Sequence, residues 1–259
     1  MTMTRLSVNV NKVATLRNSR GGRVPDLLEA VQVCLDTGVP GITVHPRADR
    51  RHITPEDVRA IAHLLRSRAP GVEYNIEGDP RPELLDLVDE VRPDQCTLVP
   101  VAPGEITSQA GWRPGAAAER LPDVVRRLHD RGVRVSVFVD PQAEPIRWAA
   151  EVKADRVELY TEPFARAFES SADHGRRSFA QYQEMAQLAH SLGLGINAGH
   201  DLDLDNLVLF RALPFLDEVS IGHAIMSRAL FVGLAAVIRE YLTILAVPGA
   251  PAASRPERA

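Results

Sequence analysis

The feature that most constrains the fold is a regular alternation of short apolar segments with longer amphipathic ones along the chain. Eight short segments of high β-propensity predict strands, and each is followed by a segment with helical periodicity. The predicted strands span residues 6–11, 41–45, 72–77, 95–100, 134–140, 156–161, 195–200 and 218–223. The predicted helices span residues 26–37, 55–67, 82–91, 116–131, 142–152, 177–192, 204–212 and 224–245. Eight strand–helix units predict an α/β fold, a single closed (β/α)8 TIM barrel.

Local signals support these boundaries. Thr54-Pro55-Glu56-Asp57 is typical of a helix start, and Gly38, Gly132 and Gly193 end helices before the next strand. An open doubly wound sheet is the alternative fold, but no Gly-x-Gly-x-x-Gly turn follows the first strand. A chain of 259 residues that is 45% hydrophobic also suits one barrel better than two small domains.

The predicted domain organisation is a catalytic barrel over residues 1–247 and a disordered tail over residues 248–259, which is rich in proline, alanine and charge. Two connections are longer than the others: an extended loop after strand 4, residues 100–115, and an insertion after strand 6, residues 162–176. Long loops on the catalytic face of a barrel often act as lids, and 100–115 is the candidate lid.

Composition excludes several classes of protein. The N-terminus carries no signal-peptide pattern, and the apolar run 229–247 is interrupted by Arg239-Glu240-Tyr241, which indicates a helix and not a membrane span. Cys34 and Cys96 fit no metal spacing and are expected to be buried thiols in a reducing cytoplasm. Charge is well mixed with a net value of -4, so nucleic acid is not an expected partner.

Polar residues follow the predicted strands, where the active sites of this fold lie. His45 continues the second strand, Glu77 closes the third and His200 closes the seventh, a set that predicts a proton-transfer site. Asp140 and Glu158 also lie at strand ends, and their roles are left open. No ligand pair at fixed helical spacing supports a metal site, so none is predicted.

Two further segments predict anion binding. Three arginines and His52 follow His45 within seven residues, and the guanidinium fork pairs well with phosphate or carboxylate. Gly222-His223 precedes the last predicted helix, where a glycine allows phosphate to approach backbone N–H groups at a helix N-terminus. The expected ligands are therefore small and phosphorylated.

Five motifs resemble the pyridoxine 5′-phosphate synthase family. They are VNVNKVATLRNSRG at 8–21, GITVHPR at 41–47, RRHI at 50–53, NAGH at 197–200 and IGHA at 221–224. The resemblance runs from about residue 6 to the last helix. It implies a cytoplasmic transferase of vitamin B6 biosynthesis that needs no cofactor and forms homo-oligomers, which in this family are octamers.

The resemblance implies condensation of 3-amino-2-oxopropyl phosphate with 1-deoxy-D-xylulose 5-phosphate, giving pyridoxine 5′-phosphate, phosphate and water. Carried over by position, His45 and Glu77 are proton acceptors and His200 is a proton donor. The residues implied to hold the aminoketone phosphate are Asn9, Arg20, Asp201, Gly222 and His223. The residues implied to bind the deoxyxylulose phosphate are Arg47, His52 and Thr107, and Asn11 and Lys12 are further substrate contacts.

The chain departs from the family at one pair, since many members carry Asp-His where this sequence has Asn11-Lys12. An enzymatic alternative follows, because Lys12 near a strand end could form an imine with a keto sugar phosphate, as in a Schiff-base phosphosugar aldolase. A non-enzymatic barrel that only binds a phosphorylated ligand is the third interpretation. It leaves His45, Glu77 and His200 without a shared purpose.

Overall fold

The computed structural model describes residues 3–101 and 109–246, and its eight strands close into one all-parallel barrel. Each strand pairs with the next in chain order, and the last pairs with the first. The strands are β1 Arg5–Asn9, β2 Gly41–Val44, β3 Glu73–Gly78, β4 Gln95–Leu98, β5 Arg134–Val139, β6 Arg156–Tyr160, β7 Gly195–Gly199 and β8 Leu216–Ile221. The predicted (β/α)8 barrel is confirmed.

Helices surround the barrel and connect its strands. In chain order they are α1 Asn11–Asn18, α2 Leu27–Asp36, α3 Pro55–Arg68, α4 Pro82–Val91, α5 Leu121–His129, α6 Ala143–Glu151, α7 Glu162–Ser170, α8 Ala172–Ser191, α9 Leu204–Phe210, α10 His223–Val232 and α11 Leu234–Ala246. A short 3-10 helix, Ala116–Ala118, precedes α5. The main apolar core lies between the outer faces of the strands and these helices.

Helix α1 is not predicted from the sequence, which places Asn11 on the first strand and Lys12 next to its end. The strand ends at Asn9, whose side-chain Oδ1 accepts a hydrogen bond from the backbone N–H of Asn11 at 3.1 Å. Such an Asx turn redirects the backbone without help from the rest of the fold. The eight residues of α1 are mostly polar, with only Val13 and Ala14 buried, so no apolar periodicity indicates the helix.

Four other elements differ from the predictions. The last predicted helix is two helices, because Gly233 between α10 and α11 takes a φ of 88°, a left-handed conformation that glycine adopts without strain. The insertion after β6 is largely helical, consisting of α7 and the first turn of α8. The predicted helix 116–131 is divided into the 3-10 helix and α5, and β8 begins and ends two residues earlier than predicted.

The interior of the barrel is polar, whereas TIM barrels are usually filled by branched apolar residues. At the amino-terminal end, Glu73 accepts hydrogen bonds from Arg5 at 2.7 Å and from Arg134. One layer further, the hydroxyls of Ser7 and Thr43 lie 2.6 Å apart. Inward positions of the strands therefore alternate with apolar outward positions, and buried carboxyl groups lie inside the barrel.

Some predictions concern residues outside this description. Thr107 falls within 102–108 and the predicted tail lies within 247–259, so both stay predictions. Within 3–101 and 109–246, the structure contains no helix with the length and apolar character needed to cross a bilayer.

Candidate active site

His45 and Glu77 lie side by side at the carboxyl end of the barrel. His45 directly follows β2, and Asn11 Oδ1 accepts a hydrogen bond from its backbone N–H at 2.9 Å. The distance from His45 Nδ1 to Glu77 Oε2 is 3.9 Å, and the same carboxylate oxygen accepts a hydrogen bond from Asn9 Nδ2 at 3.4 Å. Both side chains are only 10% exposed. The first three strands thus bring together an imidazole, a carboxyl group and an amide.

Burial sets the protonation states of this pair. Burial, with the charges of His52 and Arg47 nearby, lowers the pKa of His45 well below its ordinary value of 6.5. Burial and the negative charge of Glu218 raise the pKa of Glu77 to about 8, although a hydrogen bond with Ser220 acts in the opposite direction. At neutral pH the imidazole is therefore neutral and the Glu77 carboxyl is largely protonated. The site therefore holds a proton on the Glu77 carboxyl group and an unprotonated ring nitrogen on His45.

We expect the Glu77→Gln substitution to make the protein more stable than wild type in alkaline solution. The pKa of Glu77 is about 8 when folded against 4.5 as its ordinary value, so the folded state binds more protons between these pH values. Wild-type stability therefore falls as pH rises through this window, whereas glutamine does not titrate. The expected gain at pH 9 is about 5 kcal/mol, and it should vanish below pH 4.5.

Chemical denaturation of both proteins between pH 4 and pH 9 measures this effect. Glu151→Gln, on the exposed surface of α6, is the matched control and should follow the wild-type curve. Parallel curves for Glu77→Gln and wild type would show that Glu77 is already ionised in the folded protein at pH 5.

His200 lies across the barrel mouth on a strained turn. His200 and Asp201 take φ values of 79° and 56°, a left-handed conformation that costs free energy for residues with a side chain. The Thr161 hydroxyl donates to the carbonyl oxygens of Gly199 and His200, which holds the turn in place. The imidazole packs against the rings of Phe138 and Tyr160, with centroids 4.9 and 5.3 Å away. These contacts orient His200 toward the mouth of the barrel instead of the helix layer.

A cationic cluster lies next to His45. Arg47 is buried, and its charge lowers the pKa of both His45 and His52. Burial, Arg47 and Lys12 lower the pKa of His52 to about 4, so its ring is neutral at pH 7. His52 Nδ1 accepts the Ile53 backbone N–H at 2.9 Å, which leaves the ring proton on Nε2. The cluster therefore offers Lys12 and Arg47 as cations and His52 as a neutral donor.

The remaining predicted contacts are nearer the surface. A Cβ atom added to Gly222 would lie 2.9 Å from Asn9 O, so this glycine allows the backbone to pack against β1. His223 is exposed at the first turn of α10, and its charge acts on Asp201, which places these two side chains near each other. Arg20 is exposed on the turn after α1, and the described part of the chain shows no side-chain contact between it and the other candidates.

The structure gives positions to the two acids whose roles the sequence left open. Asp140 binds the root of the loop after β4: it accepts hydrogen bonds from Gly111 N at 3.2 Å and from Arg113 Nη2 at 2.8 Å. Glu158 points into the barrel, and its carboxylate lies so close to Gly199 that a Cβ there would clash. Burial and the charges of Glu77 and Glu218 raise the pKa of Glu158 well above 4.5. Glu158 and Glu218 thus belong to the same buried acidic group as Glu77.

Glu218 and Ser220 on β8, which influence the pKa of Glu77, are not among the residues predicted from the sequence. The available signal was the alternation of polar and apolar residues along the strands, which marks the inward positions. Over residues 3–101 and 109–246, no three histidine, cysteine, aspartate or glutamate side chains are placed to share a metal ion. The expectation that the chain uses no metal and no cofactor stays a prediction.

A closed (β/α)8 barrel with paired acid–base groups beside a cationic cluster defines a class, the barrel enzymes that move protons on anionic substrates. A sequence profile of one family, described as "Pyridoxal phosphate biosynthesis protein PdxJ", matches residues 6–247 of this chain. The chain belongs to this family.

Relatives of similar length carry one name. The chain is 49% identical over 246 residues to a pyridoxine 5′-phosphate synthase from Porphyromonas gingivalis, covering 95% of this chain and 100% of the relative. It is 50% identical over 244 residues to the protein of that name from Christiangramia forsetii, covering 94% and 100% of the two chains. It is 47% identical over 255 residues to that from Leptospira biflexa, covering 95% and 98%.

Solved structures support the fold alone. A thiamine phosphate pyrophosphorylase from Pyrococcus furiosus superposes with a TM-score of 0.61 at 14% identity, covering 93% of this chain and 95% of that one. A monomeric form of phosphoribosylanthranilate isomerase from Thermotoga maritima gives a TM-score of 0.59 at 13% identity, covering 94% and 99%. At this identity the likeness describes a shared barrel and not a shared reaction.

Proposed function

We propose that this chain condenses 3-amino-2-oxopropyl phosphate with 1-deoxy-D-xylulose 5-phosphate to give pyridoxine 5′-phosphate, phosphate and water, in vitamin B6 biosynthesis. The observation that carries the proposal is the buried His45–Glu77 pair, in which the base is neutral and the acid is protonated at pH 7. Membership of the family and the shared name of relatives that match over their whole length support the same reaction.

The reaction needs several proton transfers at adjacent atoms. An amine joins a ketone with loss of water, phosphate leaves, and an aldol-type step closes the ring. His45 is available to accept a proton at pH 7, because its pKa lies well below 6.5 and its ring is therefore neutral. Glu77 must release its proton before it can accept another, and a pKa near 8 makes that exchange easy near neutral pH. His200, which lies on the opposite side of the barrel mouth, donates a proton to the oxygen atom that leaves.

Positioning is the second contribution of the site. Lys12, Arg47 and His52 form one anion-binding group, which we assign to the deoxyxylulose phosphate. The backbone at Gly222, at the N-terminus of α10, forms another, which we assign with Asn9 to the aminoketone phosphate. Two anchored phosphates hold two substrates in reach of each other, and such positioning can lower a barrier by roughly 7–11 kcal/mol. Arg20, Thr107, Asp201 and His223 stay proposed contacts by family resemblance.

The aldolase alternative depends on Lys12. Its ammonium group lies on the first turn of α1 close enough to His52 to lower the pKa of that ring, and Arg47 acts on the same ring. A lysine placed among other groups that bind anions is suited to holding phosphate. An imine to a keto sugar would instead need this nitrogen to reach the substrate carbon.

One experiment separates the two reactions. Purified protein is mixed with both phosphorylated substrates, without metal or nucleotide, while phosphate release and the absorbance of the product are followed. Equal amounts of phosphate and pyridoxine 5′-phosphate are expected. A parallel sample is treated with borohydride in the presence of each substrate and analysed by mass spectrometry. A covalent adduct on Lys12, without pyridoxine 5′-phosphate, would replace this proposal with the aldolase.

We also propose that the protein forms a homo-oligomer in the cytoplasm. Leu230 and Phe231, near the end of α10, are 72% and 89% exposed, which leaves apolar surface that association would cover. Cys34 and Cys96 are buried free thiols, which suits a reducing compartment. The octamers implied by the family resemblance are the expected state, and light scattering on the purified protein measures it.

A further inference from the structure

Helix α1 contacts both ends of the segment 45–52, which carries His45, Arg47 and His52. At its first residue, Asn11 Oδ1 accepts the backbone N–H of His45 at 2.9 Å. At its last residue, Asn18 Nδ2 donates to the carbonyl oxygen of His52 at 2.8 Å and to that of Arg51 at 3.3 Å. A single helix thus holds the backbone at the start and at the end of the anion-binding segment.

The orientation of Asn18 depends on Arg17. Arg17 Nε donates a hydrogen bond to Asn18 Oδ1 at 2.9 Å, so the amide of Asn18 must direct its Nδ2 toward the loop carbonyls. Arg17 Nη2 also lies 3.5 Å from the carbonyl oxygen of His52. The guanidinium of Arg17 therefore sets the orientation of Asn18, which binds the carbonyl oxygens at the end of the segment 45–52.

Arg17 is itself fixed by a bidentate ion pair. Its Nη1 and Nη2 atoms donate to the two oxygens of Asp57 at 2.6 and 2.8 Å, and the two side chains are only 15% and 14% exposed. Asp57 Oδ2 accepts the backbone N–H of Thr54 at 2.9 Å in the capping box that begins α3. Helix α3 begins at Pro55, three residues after the end of the segment 45–52. Arg17 therefore connects the start of α3 to α1, with the anion-binding segment between them.

We propose that Arg17, acting through Asn18, is a positioning residue for His52, and through it for the phosphate of one substrate. The Ile53 N–H donates to His52 Nδ1, so the ring donates from Nε2. The hydrogen bond from Asn18 Nδ2 to the His52 carbonyl oxygen holds the backbone that carries this ring, and so sets the direction of the Nε2 donor. This inference rests on the proposed function, which assigns His52 to 1-deoxy-D-xylulose 5-phosphate. The aminoketone phosphate, held at the other anchor, does not depend on Arg17.

Kinetics with each substrate varied in turn test the proposal. Arg17→Met keeps the apolar stem and removes the fork, and we expect the KM for 1-deoxy-D-xylulose 5-phosphate to rise about tenfold or more, since small displacements of a contact are costly. The KM for 3-amino-2-oxopropyl phosphate should stay unchanged. Arg17→Lys should give a smaller rise. Asn18→Leu, which is of similar size and removes the Nδ2 donor without adding a charge beside Arg17, should reproduce the effect of Arg17→Met while the two hydrogen bonds from Arg17 to Asp57 stay in place.

The matched control is Arg59→Met. Arg59 forms the same kind of bidentate pair on α3, with Glu90 at 2.8 and 2.9 Å, but on the exposed side of the helix. This variant should keep both KM values. A double variant with His52→Ala completes the test: if Arg17 acts through His52, Arg17→Met adds no further rise in KM to His52→Ala.

The inference is wrong if Arg17→Met raises both KM values equally, lowers thermal stability with normal kinetics, or multiplies the effect of His52→Ala. Calorimetric binding of 1-deoxy-D-xylulose 5-phosphate alone provides a readout that needs no turnover. A wild-type protein that makes no product contradicts the proposed function. A wild-type protein that makes product, with Arg17 variants that behave like Arg59→Met, contradicts the positioning role alone.

Discussion

The His45→Ala substitution is expected to lower kcat for pyridoxine 5′-phosphate formation by about 10²–10⁴-fold, the usual contribution of a positioned general base. The reason is the electrostatic environment: His45 is the neutral base beside a protonated Glu77, and the structure describes no hydrogen-bond partner for its Nε2 atom among residues 3–101 and 109–246. No other described neutral imidazole lies within an ion-pair distance of Glu77. Substrate binding should be retained, since the phosphate contacts are assigned to other side chains.

Steady-state kinetics at saturating concentrations of both substrates measure this effect, with calorimetry to show that binding persists. His63→Ala removes an exposed histidine from α3 and should leave kcat unchanged. A His45→Ala protein with wild-type kcat would show that another group takes the proton. Loss of substrate binding with an unchanged kcat would make His45 a binding residue.

The Gly111→Ala substitution should cause a large loss of stability. A Cβ atom at Gly111 would lie under 3.0 Å from the backbone of Val139 and Asp140, which cannot move without disturbing β5. The same contact allows Trp112 N to donate to Phe138 O at 2.8 Å and Trp112 Nε1 to donate to Leu98 O at 3.1 Å. Overpacking of this kind costs about 3 kcal/mol, and the expected drop in Tm is roughly 6–12 °C.

Thermal unfolding followed by circular dichroism measures the change. Gly71→Ala is the matched control, because a Cβ there meets no atom within 4 Å and its φ lies outside the left-handed region. That variant should unfold within about 2 °C of wild type, as expected for an exposed substitution. Equal Tm values for Gly111→Ala and Gly71→Ala would mean that the loop root is not packed on β5.

The barrel could be predicted from the sequence because its signals are local. Strand and helix periodicities, the capping sequence that begins at Thr54 and the glycines that end helices are all encoded within a few neighbouring residues. The position of His45, Glu77 and His200 at strand ends follows from the predicted strand boundaries, since the carboxyl ends of parallel strands lie at one edge of the barrel. Helix α1 is not predicted, for the corresponding reason: its eight residues are mostly polar and carry no apolar period, and its contacts are with distant residues.

The sequence by itself therefore determined the order of the elements, the edge of the barrel where the site lies and the chemical groups available there. Only the tertiary structure decided which groups meet and which are protonated. Glu77 and Glu218 are far apart in the chain, yet closure of the barrel buries both, and the pKa of each rises. The physical reason is that periodicity depends on neighbours in sequence, whereas desolvation and charge–charge interactions depend on distances that exist only after the barrel has closed.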